Sequence, residues 1–467
     1  MKRIKLIVPL TNGDETCNTR GNNHRPTMPS LRGMVLIAIL GSFNATAQDT
    51  DRSDTHFFND FIAASHMDLS LRNQWKYLKE DAAQPKAVHN AWGQGATLNF
   101  KSGYLWDTLG FDASYSKIFK LAASDYFSTR SVLYNDGQGM DKNNAKGFDR
   151  FGQRYIKVKV GGPSLGMEAK GGWQELKNFG VLTTSTRLGK NSYLGYSGSF
   201  VHDDVVLQLG RVTRGINRDS PEKTHFQTAD KKNIASIVTG GLGWKNSQAS
   251  LFYGYGEAKN YLRRHVAELA WYPAPQWTLA SQIYGSQALE DYKSMSASKK
   301  DFDNQAWHYV GEAQWKNNDW LFRLAAGYTQ ARKDGGVGLY NRHIAKNTRG
   351  RFNALTSAGT DYTRHGETAL VLYSQYQVNR NFTSGMQWNY GQFKYKDNLV
   401  RSGEVALIGI WTPDSALLKN LSVFFNVGYG WGYKNIHATP TLTAAGKYMR
   451  SPSLASEIVI DYRFSLF

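Results

Sequence analysis

Apolar and polar residues alternate along much of this chain, most clearly in its last twelve residues. One parity there holds Ile458, Ile460, Tyr462, Phe464 and Leu466, and the other holds Val459, Asp461, Arg463 and Ser465. A period of two predicts a strand whose two faces meet different surroundings. The end of a soluble chain is more often polar and frayed, so this strand raises the question of what its apolar face contacts.

Segments of the same kind recur along the chain, and together they predict eighteen strands. One parity is aliphatic in the middle of a segment and aromatic toward its ends, as in Leu98, Phe100 and Tyr104, whereas the other parity is polar, small or basic. An outer face in lipid with aromatic girdles and a wet interior would produce both parities. A soluble sandwich is the alternative, but it needs fewer strands and fewer Trp and Tyr residues at strand ends. The predicted spans are 67–78, 93–105, 109–118, 153–161, 163–172, 193–202, 204–213, 235–245, 249–258, 263–272, 276–286, 305–316, 319–329, 367–378, 382–391, 402–411, 420–433 and 456–467.

The connections between these strands alternate in length. Short turns such as 161–163 and 203–204 separate long segments near 119–152, 173–192, 214–234, 287–304, 330–366 and 434–455. Short periplasmic turns and long extracellular loops are typical of bacterial outer-membrane barrels. The last strand must then pair with the first, because an open edge in lipid is too costly. We therefore predict an all-β fold, a transmembrane antiparallel β-barrel of about 18 strands.

Composition agrees with strands rather than helices as the spanning elements. The chain has 467 residues, 13 Trp, 26 Tyr and a mean hydropathy of -0.50. No apolar run approaches the roughly 18 residues of a transmembrane helix. The net charge is +18, but the basic residues are dispersed, which argues against a nucleic-acid partner.

The amino-terminal region has the features of a targeting signal. An apolar run from Met34 to Phe43 follows Arg32 and precedes the Ala45–Ala47 cleavage-like triplet. We expect residues 1–47 to be a signal peptide region with a later working start at Met28 or Met34. The mature chain would begin near Gln48, lose the single cysteine, Cys17, and keep a net charge of +14. Residues 48–66 would form a periplasmic segment and residues 67–467 the barrel.

Three stretches resemble the OprD family of substrate-specific porins. They are AWGQGATLNFKSGY from Ala91 to Tyr104, the region from Tyr155 to Leu188, and the ending VIDYRFSLF. The second is the most specific, because it carries the pattern V-L-x-x-x-x-R-L at Val181, Leu182, Arg187 and Leu188. The residue after the motif is Gly189, whereas the family usually has a proline there, so the loop of this chain is expected to differ locally in shape.

The resemblance implies a monomeric porin in the outer membrane of a Gram-negative bacterium. Its long loops would narrow the lumen beside a column of Arg and Lys that faces acidic groups. Small anionic or zwitterionic solutes, such as carboxylates, amino acids or peptides, would pass by passive diffusion. A chitoporin-like branch that passes chito-oligosaccharides is the alternative, with Tyr155, Tyr193 and Tyr373 on the inward parity. The implied partners are small solutes, outer-membrane lipids, lipopolysaccharide and the barrel-assembly machinery, which would recognise Phe467.

Seven basic residues are candidates for the pore lining. A charge that faces lipid at mid-membrane costs about 2–4 kcal/mol, so a basic residue on the polar parity of a strand should point inward. The alternative for any single residue is a position near a strand end, where it snorkels to headgroups. The candidates from parity are Lys101, Lys157, Lys159, Lys170, Arg264 and Arg323, and Arg187 is added by the family likeness.

Signals for enzymatic chemistry are weak. The triplet from His202 to Asp204 is expected in a turn, and His308 with Glu312 could be a lumen pair or ordinary pore polarity. Neither C-x-x-C nor H-E-x-x-H spacing occurs, so no metal and no cofactor are expected. We predict that the protein is not an enzyme, with an outer-membrane enzyme barrel or an adhesin as the competing functions.

Overall fold

The computed structural model describes residues 54–80, 88–126, 131–137, 139, 141–340 and 361–467. The expected signal region at residues 1–47 and the expected cleavage point before Gln48 lie outside the described residues, as does Cys17.

Eighteen antiparallel strands form one closed barrel, which confirms the predicted fold. Their inner and outer faces follow the alternation of the sequence. In chain order the strands are β1 (His66–Glu80), β2 (Val88–Lys101), β3 (Leu109–Ala123), β4 (Phe148–Gly161), β5 (Leu165–Gln174), β6 (Ser192–His202), β7 (Val205–Ile216), β8 (Ile237–Lys245), β9 (Ala249–Ala258), β10 (Leu262–Ala274), β11 (Trp277–Ala288), β12 (Gln305–Lys316), β13 (Trp320–Gln330), β14 (Thr368–Asn379), β15 (Phe382–Tyr395), β16 (Asn398–Trp411), β17 (Leu421–Tyr433) and β18 (Arg450–Ser465).

The last strand closes the barrel against the first. β18 pairs with β1 from Asp68 opposite Ser465 to Glu80 opposite Ser453. Every other barrel strand pairs with its neighbours along the chain. Closure leaves no row of unpaired backbone groups, which is the requirement that lipid imposes on a sheet.

The outward faces carry the apolar parity. On β18, Ile458 and Ile460 are exposed, whereas Glu457 and Val459 are buried inside. The length of the outward apolar run differs between strands. On β13 it extends through every outward position from Trp320 to Tyr328, but on β7 it is interrupted after Leu209 by Arg211.

Several strands extend further toward the long loops than the sequence predicted. β4 begins at Phe148 rather than 153, and β18 begins at Arg450 rather than 456. β15 and β16 continue to a two-residue turn at 396–397. Beyond the lipid band neither face has to be apolar, so the alternation disappears there although the hydrogen-bonded ladder continues.

The prediction for Tyr104 was wrong. β2 ends at Lys101, and the Tyr104 ring turns into the barrel, where Lys157 and Lys159 lie 4.7 and 4.4 Å from its centroid. The residue is therefore part of the interior and not of an aromatic girdle.

The remaining elements are short. The helices are α1 (Asp54–Ala63) and α2 (Glu290–Lys293), and 3-10 turns cover Lys142–Asn144, Ala297–Lys299 and Ala416–Leu418. Short strands Lys223–Gln227 and Asn233–Ile234 extend the sheet, and small ladders join Tyr134–Asn135 to Ala145–Lys146 and Asn435–Ile436 to Thr439–Pro440. Among the described residues, no helix is long and apolar enough to cross a membrane.

Helix α1 packs at the short-turn edge of the barrel. The Phe61 ring lies 6.5 Å from that of Phe111, which is an outward residue of β3. Ser65 Oγ accepts a hydrogen bond from the Gly103 backbone N–H at 2.9 Å and donates to the Phe61 carbonyl at 2.7 Å. These bonds hold the helix against the turn between β2 and β3.

Loops on the opposite side fold into the barrel and share a hydrophobic cluster with its inner wall. Members from the loops include Leu176, Phe179, Tyr292, Phe302 and Tyr340. They pack on buried wall residues such as Val212, Val266 and Tyr284. The interior is therefore filled by loops at this level, and any route through the barrel has to pass beside them.

Candidate functional site

The segment 175–191, between β5 and β6, contributes most to the filling of the interior. Its apolar residues Phe179, Val181 and Leu188 would be exposed in an ordinary surface loop, but here they are all buried. Burial of apolar side chains against the wall stabilises the inward position. The motif V-L-x-x-x-x-R-L thus marks a loop that docks inside the barrel.

Glycines in the inner wall make room for this loop. A Cβ on Gly93 of β2 would lie 2.5 Å from Leu188 Cδ1, and one on Gly210 of β7 would lie 2.9 Å from the Phe179 ring. A Cβ on Gly256 of β9 would clash with Val181. Contacts at β2, β7 and β9 show that the loop spans the interior between separate parts of the wall.

Hydrogen bonds fix the loop on the β7–β8 side. The Val181 backbone N–H donates to Thr239 Oγ1 at 2.9 Å, and the Gly180 N–H donates to Gln208 Oε1 at 3.0 Å. Gly180 has a φ of +53°, and a Cβ there would clash with Thr239 Oγ1. Only glycine meets both conditions without strain.

Arg187 lies at the other end of the loop, against β1 and β18. Its Nη1 is 3.7 Å from the Glu457 carboxylate, and both side chains are almost fully buried. Gln74 donates to the same carboxylate at 2.6 Å. Arg72 makes two 2.6 Å hydrogen bonds to Asp461 and donates to the Arg187 carbonyl at 3.1 Å.

Four of the predicted lysines lie together on the inner wall of β2, β4 and β5. Lys157 is directly opposite Lys170 in the register, and Lys159 is two residues along β4 from Lys157. Lys101 is opposite Asp112 of β3, whose carboxylate accepts a 2.7 Å bond from Lys157. We call Lys101, Tyr104, Lys157, Lys159 and Lys170 the lysine wall.

The lysine wall is partly neutralised. Lys170 pairs with Glu168 at 2.6 Å, and Lys157 pairs with Asp112. Lys101 and Lys159 form no ion pair with any described residue. Four lysines against two carboxylates leave this wall with excess positive charge, and Lys159 lies on the Tyr104 ring as a cation–π pair.

Arg323 and Arg264 lie on other parts of the wall. Arg323 pairs with Glu312 at 3.4 Å, and its guanidinium lies 5.1 Å from the centre of the Tyr373 ring. Arg264 hydrogen-bonds Ser286 and lies 5.6 Å from the Tyr340 ring. The seven candidates thus divide into the lysine wall, the Arg187 contact and two separate arginines.

His308 takes part in packing. Its Nδ1 hydrogen-bonds Thr329 Oγ1 at 2.8 Å, and its ring stacks with Tyr284 and with Tyr340 at 5.9 Å. Glu312, the partner that the sequence suggested for His308, forms an ion pair with Arg323. His308 is therefore part of the wall that supports the second loop, at residues 331–340.

The returning part of that loop is also fixed inside. Arg364 pairs with Glu367 at 3.1 Å, and both are buried. Burial raises the pKa of the Glu367 carboxyl, while Arg364 acts in the opposite direction. His365 Nδ1 accepts the Ala331 backbone N–H at 3.1 Å, and burial together with the charge of Arg332 lowers the pKa of that imidazole.

The sequence pattern did not predict which acidic residues pair with the candidates, or which tyrosine rings lie beside them. Asp112, Glu168, Glu457 and Asp461 each pair with a candidate or with Arg72. Their inward parity was readable, but the cross-strand register that pairs them was not. In the part of the chain that the structure describes, no group of His, Cys, Asp or Glu could hold a metal ion.

Comparison with known proteins supports one family. The sequence matches the family described as outer membrane porin, OprD family, over residues 59–389, which is more than half of the chain. A search of curated protein sequences gave no significant match.

Solved structures of similar fold are bacterial outer-membrane proteins and porins. OpdK from Pseudomonas aeruginosa superposes with a TM-score of 0.65 at 17% identity, covering 87% of this chain and 100% of that one. OccAB4 from Acinetobacter baumannii gives 0.67 at 16% identity, with 86% and 98% covered. OccK8 (OprE) from Pseudomonas aeruginosa gives 0.67 at 16% identity, with 87% and 100% covered.

Proposed function

Because this chain belongs to the OprD family of outer membrane porins, we propose that its passive channel selects small anionic or zwitterionic solutes. The observation that carries the proposal is the lysine wall. Lys101 and Lys159 add positive charge to the inner surface without an acidic partner among the described residues. Fixed charges at close quarters select permeants by sign.

The carboxylate is the solute group that best fits this wall. An ammonium group on a flexible stem can pair with a carboxylate as it passes, and Tyr104 offers an apolar face beside it. OpdK has been solved with vanillate, which is an aromatic carboxylate. Similar chemistry in the present channel would favour small organic acids, amino acids or peptides over neutral sugars.

The chito-oligosaccharide alternative depends on open aromatic faces. Tyr193 and Tyr373 are 6% and 3% exposed, so they offer little surface to a sugar ring. Tyr155 donates a 2.6 Å hydrogen bond to Asp112, and the Lys170 ammonium lies 5.5 Å from its ring centre. These positions favour the carboxylate proposal.

Cellular setting and assembly are part of the same proposal. We place the protein in the outer membrane of a Gram-negative bacterium, as a monomer that presents Phe467 to the assembly machinery. Phe467 is exposed, and its carbonyl accepts a 3.3 Å hydrogen bond from the Met67 backbone N–H next to the closing seam. The channel is proposed to carry out no enzymatic step.

Reversal potentials across a planar bilayer under a KCl gradient test the proposal. Wild-type channels should prefer chloride over potassium, and the preference should fade at high salt, because the Debye length is only about 8 Å at physiological ionic strength. Lys101→Gln with Lys159→Gln should reduce the chloride preference by about half, as the unpaired cations are removed. Lys394→Gln with Arg401→Gln is the matched control, since both residues are on outward parity and exposed.

Two results would overturn the proposal. One is a cation-selective or unselective wild-type pore that chito-oligosaccharides block and carboxylates do not. The other is an equal loss of chloride preference in both double variants, because outward residues would then matter as much as the lysine wall.

A further inference from the structure

Three arginines lie close together on the outer face of the barrel, where lipid-facing residues are expected. Arg154 of β4 and Arg211 of β7 share the parity of exposed apolar residues such as Ile156 and Leu209, and a register shift after Val212 brings Arg214 to the same face. An arginine that faces only hydrocarbon would cost about 2–4 kcal/mol at mid-membrane. These arginines do not line the lumen, so their presence on the outer face needs a different explanation.

The register brings these arginines together. Arg154 is opposite Trp173 of β5, Trp173 is opposite Leu194 of β6, and Leu194 is opposite Arg214. One row across four strands thus begins and ends with an arginine, roughly 14 Å apart at a strand spacing of about 4.8 Å. Arg211 is opposite Tyr196 beside this row.

Aromatic rings lie between and beside the charges. The Arg154 guanidinium lies 5.2 Å from the centre of the Trp173 ring, and Tyr196 is 75% exposed. We call Arg154, Trp173, Tyr196, Arg211 and Arg214 the outer basic patch. Aromatic and basic residues at the same level are typical of the boundary between hydrocarbon and headgroups.

The patch has an excess of positive charge. None of its arginines forms an ion pair with a described residue. Asp149, on the same outward face of β4, lies opposite Lys117 and accepts a 2.6 Å hydrogen bond from Tyr115. Arg154 Nη1 donates to the Phe151 carbonyl at 3.1 Å, and each guanidinium group has five donors, so donors remain for an anion from outside the chain.

We propose that the outer basic patch binds the phosphate groups of a phosphorylated membrane glycolipid, the lipid A part of lipopolysaccharide. Planar guanidinium groups bind phosphate through paired hydrogen bonds. Arginines at both ends of one row suit a headgroup that carries two phosphates. The acyl chains would then lie along the outward apolar residues below the patch, such as Val205, Leu207 and Leu209.

The patch lies toward the long-loop end of its strands, which is the end that meets the outer leaflet in barrels of this kind. β7 starts at the short turn with Val205, and Arg211 and Arg214 come in its second half. The outward positions of the first half are apolar. Arginines near the long loops and apolar residues near the short turns match a membrane whose outer leaflet carries the phosphate groups.

The experiment uses the full-length barrel in neutral detergent with diphosphorylated lipid A as the probe. The readout is the temperature at which the folded band is lost in semi-native electrophoresis, together with bound lipid counted by native mass spectrometry. The test variant combines Arg154→Gln, Arg211→Gln and Arg214→Gln. The control combines Lys79→Gln, Lys394→Gln and Arg401→Gln, which removes the same charge from exposed residues outside the patch.

Lipid A should raise the melting temperature of wild type and control, and the test variant should bind it roughly tenfold more weakly as charge-assisted hydrogen bonds are lost. Dephosphorylated lipid A and inorganic phosphate should have little effect on the melting temperature of wild type, control or test variant.

Unchanged lipid A binding in the test variant would overturn the proposal. An equal loss of lipid A binding in the control variant would also overturn it, as would an equal rise in melting temperature with inorganic phosphate. A wild-type dimer that is absent only in the test variant would instead indicate that the patch is an interface between copies of the chain, and would overturn the proposal too. Single-channel conductance and selectivity of the test variant should equal those of wild type, so this proposal can fail independently of the proposed solute selectivity.

Discussion

At the scale of single residues, the interior is organised by pairs of opposite charge. Arg72 with Asp461, Lys157 with Asp112 and Arg323 with Glu312 each join neighbouring strands. Parity alone predicted that such basic residues would point inward, and the pairs lie inside. Their partners could not be predicted, because a pairing needs the cross-strand register, which no local pattern specifies.

The buried contact of Arg187 with Glu457 yields a prediction for single substitutions. Arg187→Ala should lower barrel stability by about 3–5 kcal/mol, because it removes a cationic partner from a buried carboxylate. It should also weaken anion preference, since a positive charge is lost beside the docked loop. Urea unfolding followed by tryptophan fluorescence and bilayer reversal potentials measure the two effects.

Glu457→Gln provides the control for this contact. Arg187→Ala combined with Glu457→Gln should be more stable than Arg187→Ala alone, because the buried negative charge that Arg187 no longer balances is removed as well. Conductance and ion selectivity at wild-type values in Arg187→Ala would remove Arg187 from the residues that select solutes.

At the scale of elements, the strands were predictable and the docking of the loops was not. Eighteen segments were found because each crosses the lipid band with one apolar face. The first residues of β4 and β18, near the loops, were missed because both faces are polar or mixed there. The inward position of segment 175–191 depends on glycines in distant strands, such as Gly93 and Gly210, and their role appears only in three dimensions.

Gly180→Ala tests the anchoring of that loop. The positive φ and the approach of Thr239 both disfavour a side chain, so the loop should move off the β8 wall at a cost of at least about 1–2 kcal/mol. We expect altered single-channel conductance with more frequent current fluctuations. Gly311→Ala is the matched control, because its Cβ would meet nothing within 4 Å. Identical traces from the two variants would contradict the anchoring role.

At the scale of the whole molecule, closure between β1 and β18 determines the shape of the channel. The pattern of the last strand and the even strand count predicted this seam, and the paired register from Asp68 to Glu80 confirms it. The exact register could not be predicted, because an alternating strand can slip by two residues and keep its faces.

A cross-link can test the register of the seam. Leu69 and Phe464 are direct partners, so Leu69→Cys with Phe464→Cys should form a disulfide on mild oxidation. Residues after 47 contain no native cysteine that would compete. The unfolded oxidised protein should migrate faster in electrophoresis than its reduced form, because the link closes a large loop. Leu69→Cys with Leu324→Cys, which lie on non-adjacent strands, should show no such change, and failure of the first pair to link would indicate a different register.

The unequal outward faces of β7 and β13 also affect the surrounding bilayer. The uninterrupted apolar run from Trp320 to Tyr328 spans roughly 26 Å of strand, whereas Val205 to Leu209 spans about half of that at 3.3 Å per residue. Lipid cannot have two thicknesses around an upright cylinder without strain, so hydrophobic mismatch is relieved by tilting of the protein or by thinning of the membrane on the short side. We therefore expect the β7 wall to be the place where the bilayer thins, or toward which the channel axis tilts away from the membrane normal.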